Sequence, residues 1–160
     1  MTIQAGDKMP EGSFGIMTAE GPGAISTEEL FSGKKVVLVS VPGAFTPTCS
    51  MKHLPGFVEQ AEALKSEGVD TIACTAVNDV FVMDAWGKDR GVGDSVLMLA
   101  DGNGDYVKAL GLEMDATGFG MGHRGQRFAI VVEDGTATHV AVEGPGQFEV
   151  SKVEAIMNAL

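Results

Sequence analysis

Cysteine is nearly missing from this chain: there are two, Cys49 and Cys74, in 160 residues. Two sulfurs cannot frame a disulfide scaffold. Neither Cys-x-x-Cys nor a zinc-type spacing is present, which points to a reducing compartment and to thiol chemistry. Basic residues are also scarce, 11 against 22 acidic ones for a net charge of −11. With no Lys/Arg cluster, the electrostatic footprint of a nucleic-acid binder is absent. The three histidines, His53, His123 and His139, are scattered, so no metal-ligand pattern emerges. No apolar run approaches the ~20 residues a membrane span needs. The stretch Met1 to Lys8 has no charged leader followed by an apolar segment, so a mature cytosolic start is expected. No repeat or low-complexity tract divides the chain, and its length fits a single domain, 1–160, with a real core.

What is present alternates regularly. Ser26-Thr27-Glu28-Glu29 reads as a capping box opening a short helix through Leu30 and Phe31. The run 35–41 reads as a buried strand, followed by a helix over about 49–66 ending near Gly68. A second buried strand, 71–77, completes a βαβ unit with a helical crossover. Asn78-Asp79 caps a helix over about 80–90, then come a strand at 96–100 and a short helix around 105–110. Strands 127–132 and 138–142 flank Glu133-Asp134-Gly135-Thr136-Ala137, a hairpin signal with Asp-Gly at its centre. A closing helix spans about 151–159. A βαβ unit, an antiparallel hairpin and a last helix give the order of the thioredoxin fold. The expected architecture is α/β, a mixed sheet flanked by helices, with extra N-terminal and central elements. Ligands of such sheets gather at the C-terminal ends of the parallel strands.

Cys49 stands there, where strand 35–41 gives way to the helix. Orphan N–H groups and the helix dipole at this position favour a thiolate. A buried cysteine acting as a small hydrophobe is the bland alternative. The flanks oppose it, since Pro42, Gly43 and Pro47 impose an irregular loop and Ser50, Lys52 and His53 are polar. A thiolate that attacks an O–O bond needs a cation for the developing charge on the leaving oxygen. Only three arginines exist in the chain, and Arg124 and Arg127 flank Gly125-Gln126 just before strand 127–132. Arginine's permanently charged fork suits the task; solvated strand-edge arginines are the alternative, with more weight for Arg124 than for Arg127. His53, one turn after Cys49, would raise thiolate character when protonated or would simply face solvent. Trp86 with Phe81 reads as helix-face packing, and the nine methionines as core filler.

The spacing Pro42-x3-Thr46-x2-Cys49 resembles the active-site motif of peroxiredoxins, cysteine-dependent peroxidases. Further segments extend the likeness over nearly the whole chain: Pro42 to Phe57, Val77-Asn78-Asp79 with Phe81-Val82-Met83 and Ala85-Trp86, Leu99-Ala100-Asp101-Gly102, and Arg127-Phe128-Ala129 with Val132-Glu133-Asp134-Gly135. They are similar to the peroxiredoxin 5 subfamily, the type II enzymes of plants and bacteria. The resemblance implies that Cys49 is the peroxidatic cysteine, that the Thr46 hydroxyl bonds thiolate and peroxide, that Pro42 shields the sulfur from solvent and that Arg127 is the family's arginine. Arg124 matches a position that is often basic. Phe45 and Phe81 match a dimer contact, which implies a homodimer. No metal, haem, flavin or other cofactor is implied.

Two departures bear on the reaction cycle. The late region Gly144-Pro145-Gly146-Gln147-Phe148, where some members carry a resolving cysteine, has none, and no glutaredoxin domain is fused. Cys74 matches a cysteine of plant-type members, 25 residues after Cys49. Placed about three residues below the end of its strand, it would lie about 10 Å under the level of Cys49. A disulfide wants Cα atoms within ~7 Å, so the geometry favours a structural Cys74 over a resolving one. The expected function is therefore a cytoplasmic antioxidant peroxidase reducing hydrogen peroxide and alkyl hydroperoxides. Its sulfenic acid would be recycled by glutathione and glutaredoxin, or by thioredoxin. A thiol–disulfide oxidoreductase is disfavoured because Thr46 and Lys52 stand where a Cys-x-x-Cys would need sulfur. A non-enzymatic redox-signalling protein on the same fold is the third reading.

Overall fold

Val36-Val37-Leu38-Val39 is apolar at successive positions because it lies in β3 (Lys35–Ser40), a strand covered on both faces. The computed structural model describes residues 2–160, with the Cys49 side chain outside the described residues. In chain order, β1 (Ser13–Thr18) and β2 (Gly21–Ser26) precede α1 (Thr27–Phe31) and β3 (Lys35–Ser40). A π-helical turn (Cys49–His53), α2 (Leu54–Glu59) and α3 (Ala61–Ser66) lead to β4 (Thr71–Ala76). Next come α4 (Val80–Asp89), β5 (Leu97–Ala100) and α5 (Asp105–Leu110). β6 (Glu113–Asp115) and β7 (His123–Gly125) enclose a 3₁₀ turn (Thr117–Phe119), and β8 (Phe128–Glu133), β9 (Thr136–Val142) and α6 (Val153–Ala159) close the chain.

The main sheet has the order β2-β1-β5-β4-β3-β8-β9, with β3, β4 and β5 parallel and the outer strands antiparallel. Side-chain alternation divides β3 between two cores. Val37 and Val39 pack with Leu54, Phe57, Trp86 and Ile156 on one face. Val36 and Leu38 pack with Phe14, Phe31, Leu110 and Ile130 on the other. This is the expected mixed sheet flanked by helices in the thioredoxin order, and the capping box at Ser26 closes reciprocally with Glu29. No helix among the described residues is long and apolar enough to cross a membrane.

The helix expected over about 49–66 is divided. Pro55 has no N–H for the residue four before it, and the turn Cys49–His53 preceding it widens to π geometry. Gln60, with φ −100° and ψ 12°, separates α2 from α3. Backbone bonds still run through it, from Gln60 N to Gly56 O and from Leu64 N to Gln60 O. The strand expected at 127–132 starts at Phe128, leaving Arg127 in the connection from β7. The hairpin turn is tighter than expected: Glu133 pairs with Thr136, and Asp134 and Gly135 take φ of 47° and 80°. Such left-handed values are those of a two-residue turn favouring Asp-Gly.

Candidate active site

After β3 the chain enters the loop that carries the motif. Val41 N–H donates to Thr75 O at 3.1 Å, which carries the loop past the edge of the neighbouring strand. Ala44 N–H donates to the Asn78 side-chain oxygen at 3.0 Å. Thr46 Oγ1–H donates to Gly43 O at 2.7 Å, and Ser50 N–H to Thr46 O at 2.9 Å, so Cys49 falls in the first turn of the helical segment. Phe45 holds a left-handed φ of 65°, a costly conformation for a bulky residue and one that clusters at functional loops. Gly43 gives the Arg124 side chain close access to the loop: a Cβ there would lie 3.0 Å from Arg124 Nη1 and 3.1 Å from the Met121 methyl, so both side-chain ends would have to shift.

The two arginines reach this loop from opposite sides of Gly125. That glycine lets the backbone lie against the end of β3, since a Cβ would meet Val107 at 2.9 Å and Ser40 Oγ at 3.1 Å. Ser40 Oγ–H in turn donates to Gln126 O at 2.9 Å. Arg124 is not the solvated strand-edge residue weighed above. Its Nη1 donates to Pro42 O at 3.3 Å and its Nε to Met121 O at 2.9 Å. Arg127 Nη1 donates to His53 Nδ1 at 2.9 Å, and its guanidinium lies 5.9 Å from the Phe148 ring centroid.

His53 neither faces solvent nor serves as a cation. It is 1% exposed and its Nε2 is 3.0 Å from Ser151 O. An arginine can only donate and a carbonyl only accept, so His53 is the neutral Nε2–H tautomer, bonded at both nitrogens. Burial first and the Arg127 charge second lower its pKa from 6.5 to about 4. The Phe148 ring meets it edge-on at 5.1 Å and Phe57 flanks it at 5.7 Å. The loop carrying Phe148 is tied down by Glu143. That carboxylate accepts from Ser151 N–H at 2.8 Å, Ser151 Oγ–H at 2.7 Å and Glu149 N–H at 2.8 Å. Burial alone would raise the Glu143 pKa, but these bonds outweigh it and hold the carboxyl below its usual range.

Between the folded value near 4 and the unfolded 6.5, the unfolded chain binds a proton at His53 and the native protein does not. Stability therefore rises with pH across that window and is lost as pH falls through it. The urea midpoint of the protein is expected to drop more between about pH 7 and about pH 4.5 than that of His53→Gln. Equal drops would show that His53 is not buried neutral.

Sequence reasoning missed the third arginine. Arg90 Nη1 donates to Ser50 O at 3.1 Å, and Trp86 Nε1–H donates to Ser50 Oγ at 2.8 Å. The available signal was the i, i+4 spacing of Trp86 and Arg90 on one helix. Trp86 is buried while Phe81 is 65% exposed, so they do not share a packing face; Phe45, 51% exposed, lies 6.5 Å from Trp86, centroid to centroid. Cys74 is buried in β4, in register with Val39 on one side and Met98 on the other.

Residues 4–157 match the Redoxin family. Peroxiredoxin-2B of Arabidopsis thaliana is 48% identical over 159 residues, 99% of this chain and 98% of that protein. The structure of reduced Prx3 from Vibrio vulnificus in complex with H2O2 superposes with a TM-score of 0.95 at 50% identity, covering 99% of each chain. A Burkholderia cenocepacia protein described as a putative thioredoxin reductase superposes with a TM-score of 0.98 at 43% identity, over 100% of this chain and 99% of that one.

Proposed function

From a chain that belongs to the Redoxin family and, within it, to the type II peroxiredoxins, we infer that Cys49 is the sulfur that peroxide oxidises. The protein is a thiol-dependent peroxidase, acting on hydroperoxides with a thiol as reductant. The observation that carries the assignment is Arg127, fixed at 2.9 Å on a neutral His53 within the same helical turn that starts with Cys49. A protonated histidine there would repel Arg127; a neutral one accepts a hydrogen bond from it and holds the guanidinium in place without neutralising its charge.

In the first step the Cys49 thiolate attacks one oxygen of ROOH. An S–O bond forms, the O–O bond breaks, and the leaving alkoxide takes a proton to give ROH and Cys49–SOH. Arg127 stabilises the thiolate beforehand and the leaving oxygen during the step. Thr46 has its proton committed to Gly43 O, so its oxygen serves as acceptor for the hydroperoxide O–H and orients it. Pro42 shields the sulfur, while Arg124, donating to the Pro42 carbonyl, holds the loop rather than the substrate.

For the return half of the cycle the reading is an external thiol. Glutathione displaces water from Cys49–SOH to give a mixed disulfide. A glutaredoxin thiolate then attacks the glutathione sulfur and releases Cys49 thiolate. The burial of Cys74 inside β4 supports this over internal resolution. The reductase description of the Burkholderia protein does not transfer, because Cys49 and Cys74 have no Cys-x-x-Cys spacing. Exposed Phe45 and Phe81 support a homodimer contact, and the sparse cysteines support the cytoplasm as compartment.

The test is steady-state peroxide consumption with thioredoxin, glutathione alone, or glutathione plus glutaredoxin as donor. Glutaredoxin-supported turnover of Cys74→Ser is expected to stay close to wild type, and mass spectrometry of the peroxide-treated protein should find a glutathione adduct on Cys49. A dominant Cys49–Cys74 disulfide, with turnover lost in Cys74→Ser, would overturn the external route.

A further inference from the structure

The carbonyl of Ser50 meets a proline at the position where a π turn would supply its partner. In the π turn Cys49–His53 a carbonyl pairs with the N–H five residues on; for Ser50 that residue is Pro55, which has no N–H. A side-chain partner comes from the C-cap of α4. Trp86 and Arg90, one helical turn apart and so on one face, both end on Ser50. The indole N–H donates to its hydroxyl at 2.8 Å and the guanidinium to its carbonyl at 3.1 Å. The residue following Cys49 is thus gripped by side chain and by main chain from a single helix.

The two grips differ in what removing them would cost. Trp86 is fully buried in the core around α2 and α4. The Arg90 side chain is 34% exposed, and its Nε and Nη2 are held by Asp89 at 3.1 and 3.0 Å. Arg90 can therefore release Ser50 without opening the core.

We propose that Arg90 is a positioning residue that sets how often the turn carrying Cys49 unwinds, and thereby how oxidised Cys49 partitions between an incoming thiol and a second hydroperoxide. The inference rests on Cys49 being the oxidised residue. With the turn wound, the sulfenate stays in the surroundings that favour attack on peroxide. Cys49–SO⁻ plus ROOH then gives Cys49–SO₂⁻ plus ROH, the sulfur being oxidised and the peroxide reduced. With the turn unwound, a bulkier thiol reaches the sulfur, and Cys49–SOH plus RSH gives the mixed disulfide plus water. A residue that favours the wound state therefore favours over-oxidation at high peroxide.

The test compares wild type, Arg90→Ala and Arg90→Lys by two readouts. Amide hydrogen exchange of the reduced proteins reports unwinding. Exchange over residues 50–54 is expected to rise about fivefold in Arg90→Ala, the weight of one net hydrogen bond, with β3 unchanged and Arg90→Lys between. Sulfinic acid on Cys49 per turnover, read by mass spectrometry under excess hydrogen peroxide with glutathione present, is expected to fall by a similar factor. Oxidation by one equivalent of peroxide should be unaffected. Equal exchange in all three proteins, or a rise that includes β3, overturns the clamp whatever happens at Cys49. Faster exchange with unchanged sulfinic acid overturns its link to over-oxidation. A wild-type Cys49 left unoxidised by peroxide overturns the assignment of Cys49 itself, a result the exchange data do not depend on.

Discussion

Cys49→Ser is expected to show no peroxide turnover with any thiol donor, while its urea midpoint stays close to that of the wild type. Serine occupies nearly the same volume, so the loop and the bonds from Thr46 and Ser50 around it persist. The chemistry does not persist. A thiol has an ordinary pKa of ≈ 8.5 and the start of a helical segment favours its thiolate, whereas a serine hydroxyl stays protonated in such a place. Intact-mass measurement after addition of one equivalent of hydrogen peroxide is the direct check: wild type gains one oxygen, or the glutathione adduct when glutathione is present, and the variant gains neither. Retained turnover in Cys49→Ser would move the nucleophile elsewhere, and among cysteines only Cys74 remains.

The second large effect is expected from Arg127→Ala, which should slow oxidation of Cys49 by ~10²–10³, the usual loss when one preorganised charge donor is removed from a reacting centre. Arg127→Lys should recover part of the rate. It restores the charge but not the planar fork whose Nη1 binds His53. The single tryptophan supplies the readout: Trp86 donates to Ser50, the residue after Cys49, so stopped-flow fluorescence should follow the oxidation. Arg124→Ala serves as the control and should lose much less, because Nη1 and Nε of Arg124 are engaged by the Pro42 and Met121 carbonyls. A loss below tenfold in Arg127→Ala, or a larger one in Arg124→Ala, would transfer the charge-stabilising role.

Several elements were legible because their signals are local. β3 and β4 announce themselves as unbroken apolar runs, the capping box at Ser26 is a four-residue pattern, and α5 spans Asp105–Leu110 as the sequence suggests. The elements that escaped have weak local signals. β2 is Gly21-Pro22-Gly23-Ala24-Ile25-Ser26, a poor strand former held by its six-pair register with β1. β6 and β7 are three residues each, too short for any periodicity to appear. The division of the helix after Cys49 has its one local signal in Pro55, which acts on the turn before it.

Taken alone, the order of residues determined the α/β architecture, the position of a cysteine where a parallel strand yields to a helix, and the motif that ties it to peroxide chemistry. All three depend on neighbours in sequence, where periodicity, turn residues and short spacings act directly. Only the tertiary structure decided the state of the groups around that cysteine. His53 is neutral because its partners Arg127 and Ser151 lie 74 and 98 residues away and burial strips it of water. Arg124 grips a loop 82 residues earlier in the chain, and Arg90 a carbonyl 40 residues earlier. Charge state and hydrogen-bond partnership are set by desolvation and by whichever groups the sheet brings near, and neither quantity exists until β8 lies against β3 and α4 against the reactive turn.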